Sequence, residues 1–226
     1  FRETMVDYPM WRPKAVLTGN PLLLRGGRPG EDPRMHFGLE EGRMTLAVVG
    51  GSQGAATLNR AVLEALPSWR GRSDLQVLHS VGRDKHQEFA DRAAKVDRGD
   101  LLYRPLEFIE RMDLLYEVAD LVVCRAGAST VTELAAAGCP AILVPYPYAT
   151  AAHQDANAAV LERAGAAVVI ADRELDGARL VGEVDRLLAD AASREEMRRA
   201  ALALGRPGAA ADLADLVLSV GRRGKS

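Results

Sequence analysis

Cysteine, lysine, metal-spaced histidine and long apolar runs are all scarce in this 226-residue chain, and most of these shortages exclude something. The two cysteines, Cys124 and Cys139, each lie in or beside an apolar run, which argues against a disulfide scaffold or a cysteine-based metal site and fits a reduced, cytoplasmic setting. Histidines at 36, 79, 86 and 153 form no H-x-x-x-H pair or other ligand spacing, so no metal or cofactor is expected. Gly, Pro or charge interrupts every apolar run well before the ~20 residues that span a bilayer, and the first residues carry no apolar signal core. The sequence therefore reads as soluble. A formal charge of -2 provides no overall basic field, so no nucleic-acid partner is expected. Lysine occurs only at 14, 85, 95 and 225; that bias is compositional and carries no chemistry.

What is present is a chain 48% hydrophobic and 27% charged, long enough for a sizeable core. From about residue 45, short β-branched apolar runs alternate with longer amphipathic ones, the pattern of repeated βα units around a parallel sheet. Strands are expected at 45–51, 75–81, 100–105, 119–125, 140–146 and 166–170, nearly continuous in hydrophobicity and so buried on both faces. Helices are expected near 55–66, 83–97, 107–118, 129–137, 153–164, 176–190, 193–204 and 209–221. In the first of them Leu58, Ala61, Val62, Ala65 and Leu66 share one face. Residues 1–44 are punctuated by proline and contain one strand-like piece, 14–18, which makes them a lead-in rather than part of the core.

In such a sheet ligands bind at the carboxyl ends of strands, where helix N-termini present free N–H groups. Two turns have that character. In 46-LAVVGGSQGAATLN-59, Gly50, Gly51, Ser52, Gln53 and Gly54 would let a phosphate approach the backbone, or else form a tight turn capped by Ser52. The spacing matches neither the dinucleotide fingerprint nor the P-loop. In 121-LVVCRAGASTVTELAAAGCPAILVPY-146, Gly127 supplies the turn after Arg125 and a helix begins near Ser129. Thr130 and Glu133 have capping-box spacing. A second reading gives the amides of Ala128, Ser129 and Thr130 to a diphosphate and the Glu133 carboxylate to a ribose diol. A third turn carries His153 and Gln154, suited to sugar hydroxyls, although Asp155 or Thr150 would equally cap that helix. Phe108 and Ile109, just beyond a strand end, are either core or a platform for a base.

Taken in order, 18-TGNP-21, 48-VVGGSQGAATLN-59, 106-LEFIERM-112, 122-VVCRAGASTVTELAAAGCPAILVPYP-147, 153-HQDANA-158 and 164-AGAA-167 resemble the C-terminal half of the MurG family of GT-B glycosyltransferases. The resemblance implies an α/β fold, a Rossmann-like doubly wound parallel sheet. It also implies inverting transfer of GlcNAc from UDP-GlcNAc to lipid I, an undecaprenyl-diphosphate muramyl pentapeptide, in peptidoglycan synthesis. Carried over by position, Ser52 and its neighbours Gly51, Gln53 and Gly54 would meet the diphosphate, Phe108 and Ile109 the uracil, and Gly127 to Thr130 the helix-start contacts. Glu133 would take the ribose hydroxyls, and His153 and Gln154 the GlcNAc hydroxyls. Leu23 stands where the family usually has an arginine that reaches the diphosphate, with Arg25 two residues on.

The family's N-terminal domain, with its histidine-bearing Gly-rich loop, acceptor site and membrane-facing patch, has no match in these residues. The resemblance thus makes 1–44 the tail of that domain and an interdomain linker, and 45–221 the UDP-sugar-binding domain. It implies a fragment or one chain of a split enzyme, with the general base and the lipid-linked acceptor site elsewhere. The full-length enzyme would sit peripherally on the cytoplasmic face of the inner membrane. Two other readings remain: another UDP-sugar GT-B enzyme, transferase or 2-epimerase, and a noncatalytic UDP-sugar-binding subunit.

Overall fold

The computed structural model describes residues 16–22, 31–51, 53–149 and 153–223. Among them six strands, β1 (Met44–Val49), β2 (Leu75–Ser80), β3 (Leu102–Leu106), β4 (Leu121–Cys124), β5 (Ala141–Leu143) and β6 (Ala167–Val169), form one parallel sheet ordered β3-β2-β1-β4-β5-β6. The helices are α1 (Pro33–Phe37), α2 (Ala56–Ala65), α3 (His86–Ala94), α4 (Met112–Val118), α5 (Ala128–Ala137), α6 (His153–Arg163), α7 (Gly177–Ala189), α8 (Ala191–Leu204) and α9 (Ala209–Arg223). No described helix is long and apolar enough to cross a membrane.

Side chains along β1 alternate between the two faces of the sheet. Leu46 and Val48 join a core with Leu58 and Val62 of α2 and Leu180 and Val184 of α7. Ala47 joins a second core with Leu114 and Leu115 of α4 and Val131 and Leu134 of α5. Burial on both faces explains why the strands read as apolar runs. It also forces every polar group inside them to find a partner.

Three expectations change. The helix expected at 107–118 begins only at Met112, because the chain stays extended past β3: the Val81 and Gly82 N–H groups donate to the carbonyls of Leu106 and Glu107. The strand at 140–146 ends at Leu143, where Pro145 and Pro147 offer no N–H to a ladder. Residues 16–18 of the expected 14–18 strand are irregular, and 14–15 lie outside the described residues. Part of the stretch expected as a lead-in packs on the sheet domain. Phe37 and Leu39 are buried in the second core, and the buried Gln76 amide bonds the Glu40 backbone N–H and carbonyl.

His79 on β2 is wholly buried, with Nδ1 2.8 Å from the Tyr103 hydroxyl and Nε2 3.1 Å from Asn59 Oδ1. Desolvation pushes the imidazole from its ordinary 6.5 down to about 3. Between those values the unfolded chain binds a proton that the folded chain does not, so stability falls as pH falls through this window. From pH 7 to 5.5 the chain should lose about 1 kcal/mol more than a His79→Gln variant, as measured by urea unfolding. Parallel curves for the two proteins would remove His79 as the cause.

Candidate functional site

β1 and β4 are neighbours in the sheet, yet the connections beyond them run to opposite sides, which opens a crevice above their carboxyl ends. A cleft of about 910 Å³ occupies that position, within the size range of small-molecule sites. Its walls come from the turn after β1, the turn after β4, the segment after β5 and Asp172 beyond β6.

The turn after β1 owes its shape to glycine. Gly51 and Gly54 have φ of +85° and +71°, and a Cβ on Gly54 would stand 2.0 Å from the Val81 carbonyl oxygen. That carbonyl is fixed by the Asn59 side-chain amide at 2.9 Å. The loop is therefore pressed against the end of β2 and then enters α2.

Helix starts differ around the molecule in a way that matters for ligands. α1, α7 and α8 are capped by Asp32, Asp176 and Asp190, whose carboxylates accept a first-turn N–H. The N-caps of α2 and α5 are Ala55 and Gly127, and among the described residues no side chain caps either. Ala55, Ala56 and Thr57 of one start and Gly127 and Thr130 of the other line the cleft. Uncapped N–H groups and the positive ends of two helix dipoles thus converge on one space, which suits an anion.

The capping box is corrected by this geometry. α5 starts at Ala128, so Thr130 is inside the helix rather than at its cap, and Glu133 reaches no backbone N–H. Its Oε2 accepts instead from the Tyr116 hydroxyl of α4 at 2.8 Å.

Opposite the glycine loop, Arg125 holds the cleft wall together. Its guanidinium donates to Asp172 and to the Val144 carbonyl and lies over the Tyr146 ring at 5.4 Å, while Asp172 also accepts from Thr57 of α2. The two side chains are only 13% and 19% exposed. Removing one member strands the other's charge, so Arg125→Ala should cost roughly 2 kcal/mol, seen as a lower urea midpoint. An unchanged midpoint would leave this pair without a structural part.

Gln154 Oε1 accepts from the Ala126 and Tyr146 N–H groups at 3.2 and 2.9 Å, and Asn157 donates to the Ala126 carbonyl. These contacts clamp the turn after β4 to the segment after β5 and leave the Gln154 NH2 without a protein partner among the described residues. Of the residues expected from the sequence, Gly51, Gln53, Gly54, Gly127, Thr130 and Gln154 line the cleft. Ala128, Ser129, Glu133 and His153 do not line it; Ala128 and Ser129 are exposed on α5, Glu133 is half-buried there, and His153 is exposed on α6. Phe108 and Ile109 lie past the end of β3 and do not line the cleft. Ile109 is buried in the core, and Phe108 lies beneath the Arg83 guanidinium at 4.9 Å. Ser52, Leu23, Arg25 and Thr150 lie outside the described residues.

Sequence reasoning passed over Arg125, Asp172, Tyr146, Asp84 and Tyr116. The first four line the cleft. Arg125 carried one available signal, a charged residue at the carboxyl end of a buried strand. Among the described residues no His, Cys, Asp or Glu group has the geometry to hold a metal ion.

Comparison with known proteins fits this geometry. The family model described as the glycosyltransferase family 28 C-terminal domain matches residues 45–215. A protein of Listeria monocytogenes, named UDP-N-acetylglucosamine--N-acetylmuramyl-(pentapeptide) pyrophosphoryl-undecaprenol N-acetylglucosamine transferase, is 41% identical over 209 residues, covering 92% of this chain and 57% of that protein. A protein of the same name from Halothermothrix orenii is 38% identical over 212 residues, again covering 57% of its length. The chain thus spans a little over half the length of these curated relatives. Among solved structures, MurG of Acinetobacter baumannii superposes with a TM-score of 0.70 at 30% identity, over 84% of this chain and 53% of that one. A putative UDP-N-acetylglucosamine 2-epimerase of Listeria monocytogenes, at 17% identity and a TM-score of 0.59, shares the fold.

Proposed function

The chain belongs to the glycosyltransferase family 28 C-terminal domain family, and from that premise we propose that it is the donor-binding half of an inverting N-acetylglucosaminyltransferase. The donor is UDP-GlcNAc, and the acceptor is the undecaprenyl-diphosphate muramyl pentapeptide of peptidoglycan synthesis. In this reading the acceptor site, the general base and the contact with the cytoplasmic face of the inner membrane are supplied from outside this chain, which covers 57% of the length of two relatives.

The observation that carries this reading is the pair of uncapped helix starts, α2 and α5, facing one cleft at the β1/β4 crossover. In the transfer an acceptor hydroxyl attacks the anomeric carbon, the bond to the diphosphate oxygen breaks, and negative charge grows on UDP. Preoriented N–H groups stabilise that charge as it develops. The diphosphate is assigned to the amides of Gly51, Gln53 and Gly54 and of Gly127, Ala128, Ser129 and Thr130, with the Ser52 hydroxyl added by resemblance. Arg125 keeps the Asp172 carboxylate paired, which limits its repulsion of an anionic ligand.

By the resemblance alone, since of these only Gln154 lines the cleft, Glu133 is assigned to the ribose diol, Phe108 and Ile109 to the uracil, and His153 and Gln154 to the GlcNAc hydroxyls. The Gln154 NH2, which has no partner among the described residues, supports the last of these.

Calorimetric titration of the chain with UDP-GlcNAc, UDP and NAD tests the proposal. Binding of both uridine ligands without NAD is the expected result. A preference for NAD, or no uridine binding, would count against it.

A further inference from the structure

Building on the reading of Glu133 as the ribose ligand, we infer that Tyr116 is a positioning residue for the nucleoside diphosphate, presetting the Glu133 carboxylate before the ligand arrives. Tyr116 lies on α4 and is 5% exposed, with its ring in the second core. Its backbone is held as well: the Cys139 thiol donates to the Tyr116 carbonyl at 3.3 Å. At the start of α4, Arg111 forms ion pairs with Asp113 and Glu31. The hydroxyl is therefore a fixed donor, and it gives a 2.8 Å hydrogen bond to Glu133 Oε2.

Glu133 is half-buried in α5, and this is the only hydrogen bond its side chain makes among the described residues. A glutamate on a helix surface has three rotatable bonds to order when it grips a ligand, and that ordering subtracts from affinity. Anchoring Oε2 to a buried hydroxyl removes most of this freedom in advance. A carboxylate has about four acceptor directions. With one taken by Tyr116, both lone pairs of Oε1 and one of Oε2 remain, enough for two vicinal hydroxyls. The base plays no part in this contact; the feature recognised is the diol.

The test compares UDP with 2′,3′-dideoxy-UDP on the whole chain by calorimetry. Tyr116→Phe keeps the ring and removes only the hydroxyl. It should weaken UDP about three- to tenfold while leaving the dideoxy analogue within about twofold, so that the ratio of the two affinities shrinks. In a Glu133→Ala background the same substitution should change UDP affinity by less than about twofold.

Equal losses for both ligands, an undiminished loss in the Glu133→Ala background, or a Tyr116→Phe chain that fails to fold would each assign the hydroxyl a general structural role and overturn the inference while Glu133 keeps its own. A wild-type chain that binds the two ligands equally, or binds neither, would instead overturn the ribose reading of Glu133, and the inference with it.

Discussion

Gly54→Ala should lower stability by roughly 3–4 kcal/mol and reduce UDP affinity at least about a hundredfold. Two costs add. At φ +71° an alanine pays about 1–2 kcal/mol for the left-handed backbone. Its Cβ would also stand 2.0 Å from the Val81 carbonyl oxygen, and neither side can give way easily. Val81 is tied through its carbonyl to Asn59 and through its N–H to Leu106. From the other side, a Cβ on Gly82 would come 2.4 Å from the Gly54 nitrogen, so the contact is backbone on backbone in both directions. The variant must move the loop, and with it the amides assigned to the diphosphate. Gly51→Ala supplies the control: φ is +85° but the position is open, with nothing within 4 Å of an added Cβ. It should cost only about 1–2 kcal/mol. Urea unfolding and calorimetry on the two variants measure the difference, and equal effects would refute the account of a close-packed loop.

The contrast between Gly51 and Gly54 marks how far the sequence was legible. Glycines after an apolar run disclose a turn at a strand end, but which of them is pressed against β2 depends on Val81, far along the chain. The inner strands β1, β2, β4 and β5 were readable because burial on both faces writes itself as consecutive apolar residues, whereas the edge strand β3 carries the exposed Arg104. The doubly wound order then places the cleft without further information. Partners separated by long stretches were not readable. Arg125 and Asp172 lie 47 residues apart, and neither carries a local sign of the other. His79 and Gln76 are polar residues in an apolar strand, and Tyr103, Asn59 and the Glu40 backbone, all distant in sequence, satisfy them. The capping box failed for a related reason. The spacing Thr130 to Glu133 is right for a helix that starts at residue 131, but Gly127, with its extended backbone, admits the helix turn earlier. That frees Glu133 from the backbone and leaves its carboxylate to a tyrosine from another helix.

That relocation determines what Glu133→Ala should do. UDP affinity should fall about a hundredfold, close to 2.7 kcal/mol, because two charge-assisted hydrogen bonds to the ribose are lost together. Stability should fall by only about 1 kcal/mol: alanine is the best helix former and no cap is removed, but the Tyr116 hydroxyl loses its partner. A helix-cap role would give a stability loss of similar size, so stability alone does not distinguish the two. The affinity does, and so does the background. If the stability cost comes through Tyr116, it should shrink when Glu133→Ala is made in a Tyr116→Phe chain, where no hydroxyl is left unpaired. Glu133→Gln is the graded case. Its amide keeps the length of the side chain and one acceptor oxygen but carries no charge, and should lose about tenfold in affinity. Should Glu133→Ala bind UDP within about threefold of the parent chain, the ribose assignment would be abandoned and the Tyr116 bond read as packing between α4 and α5.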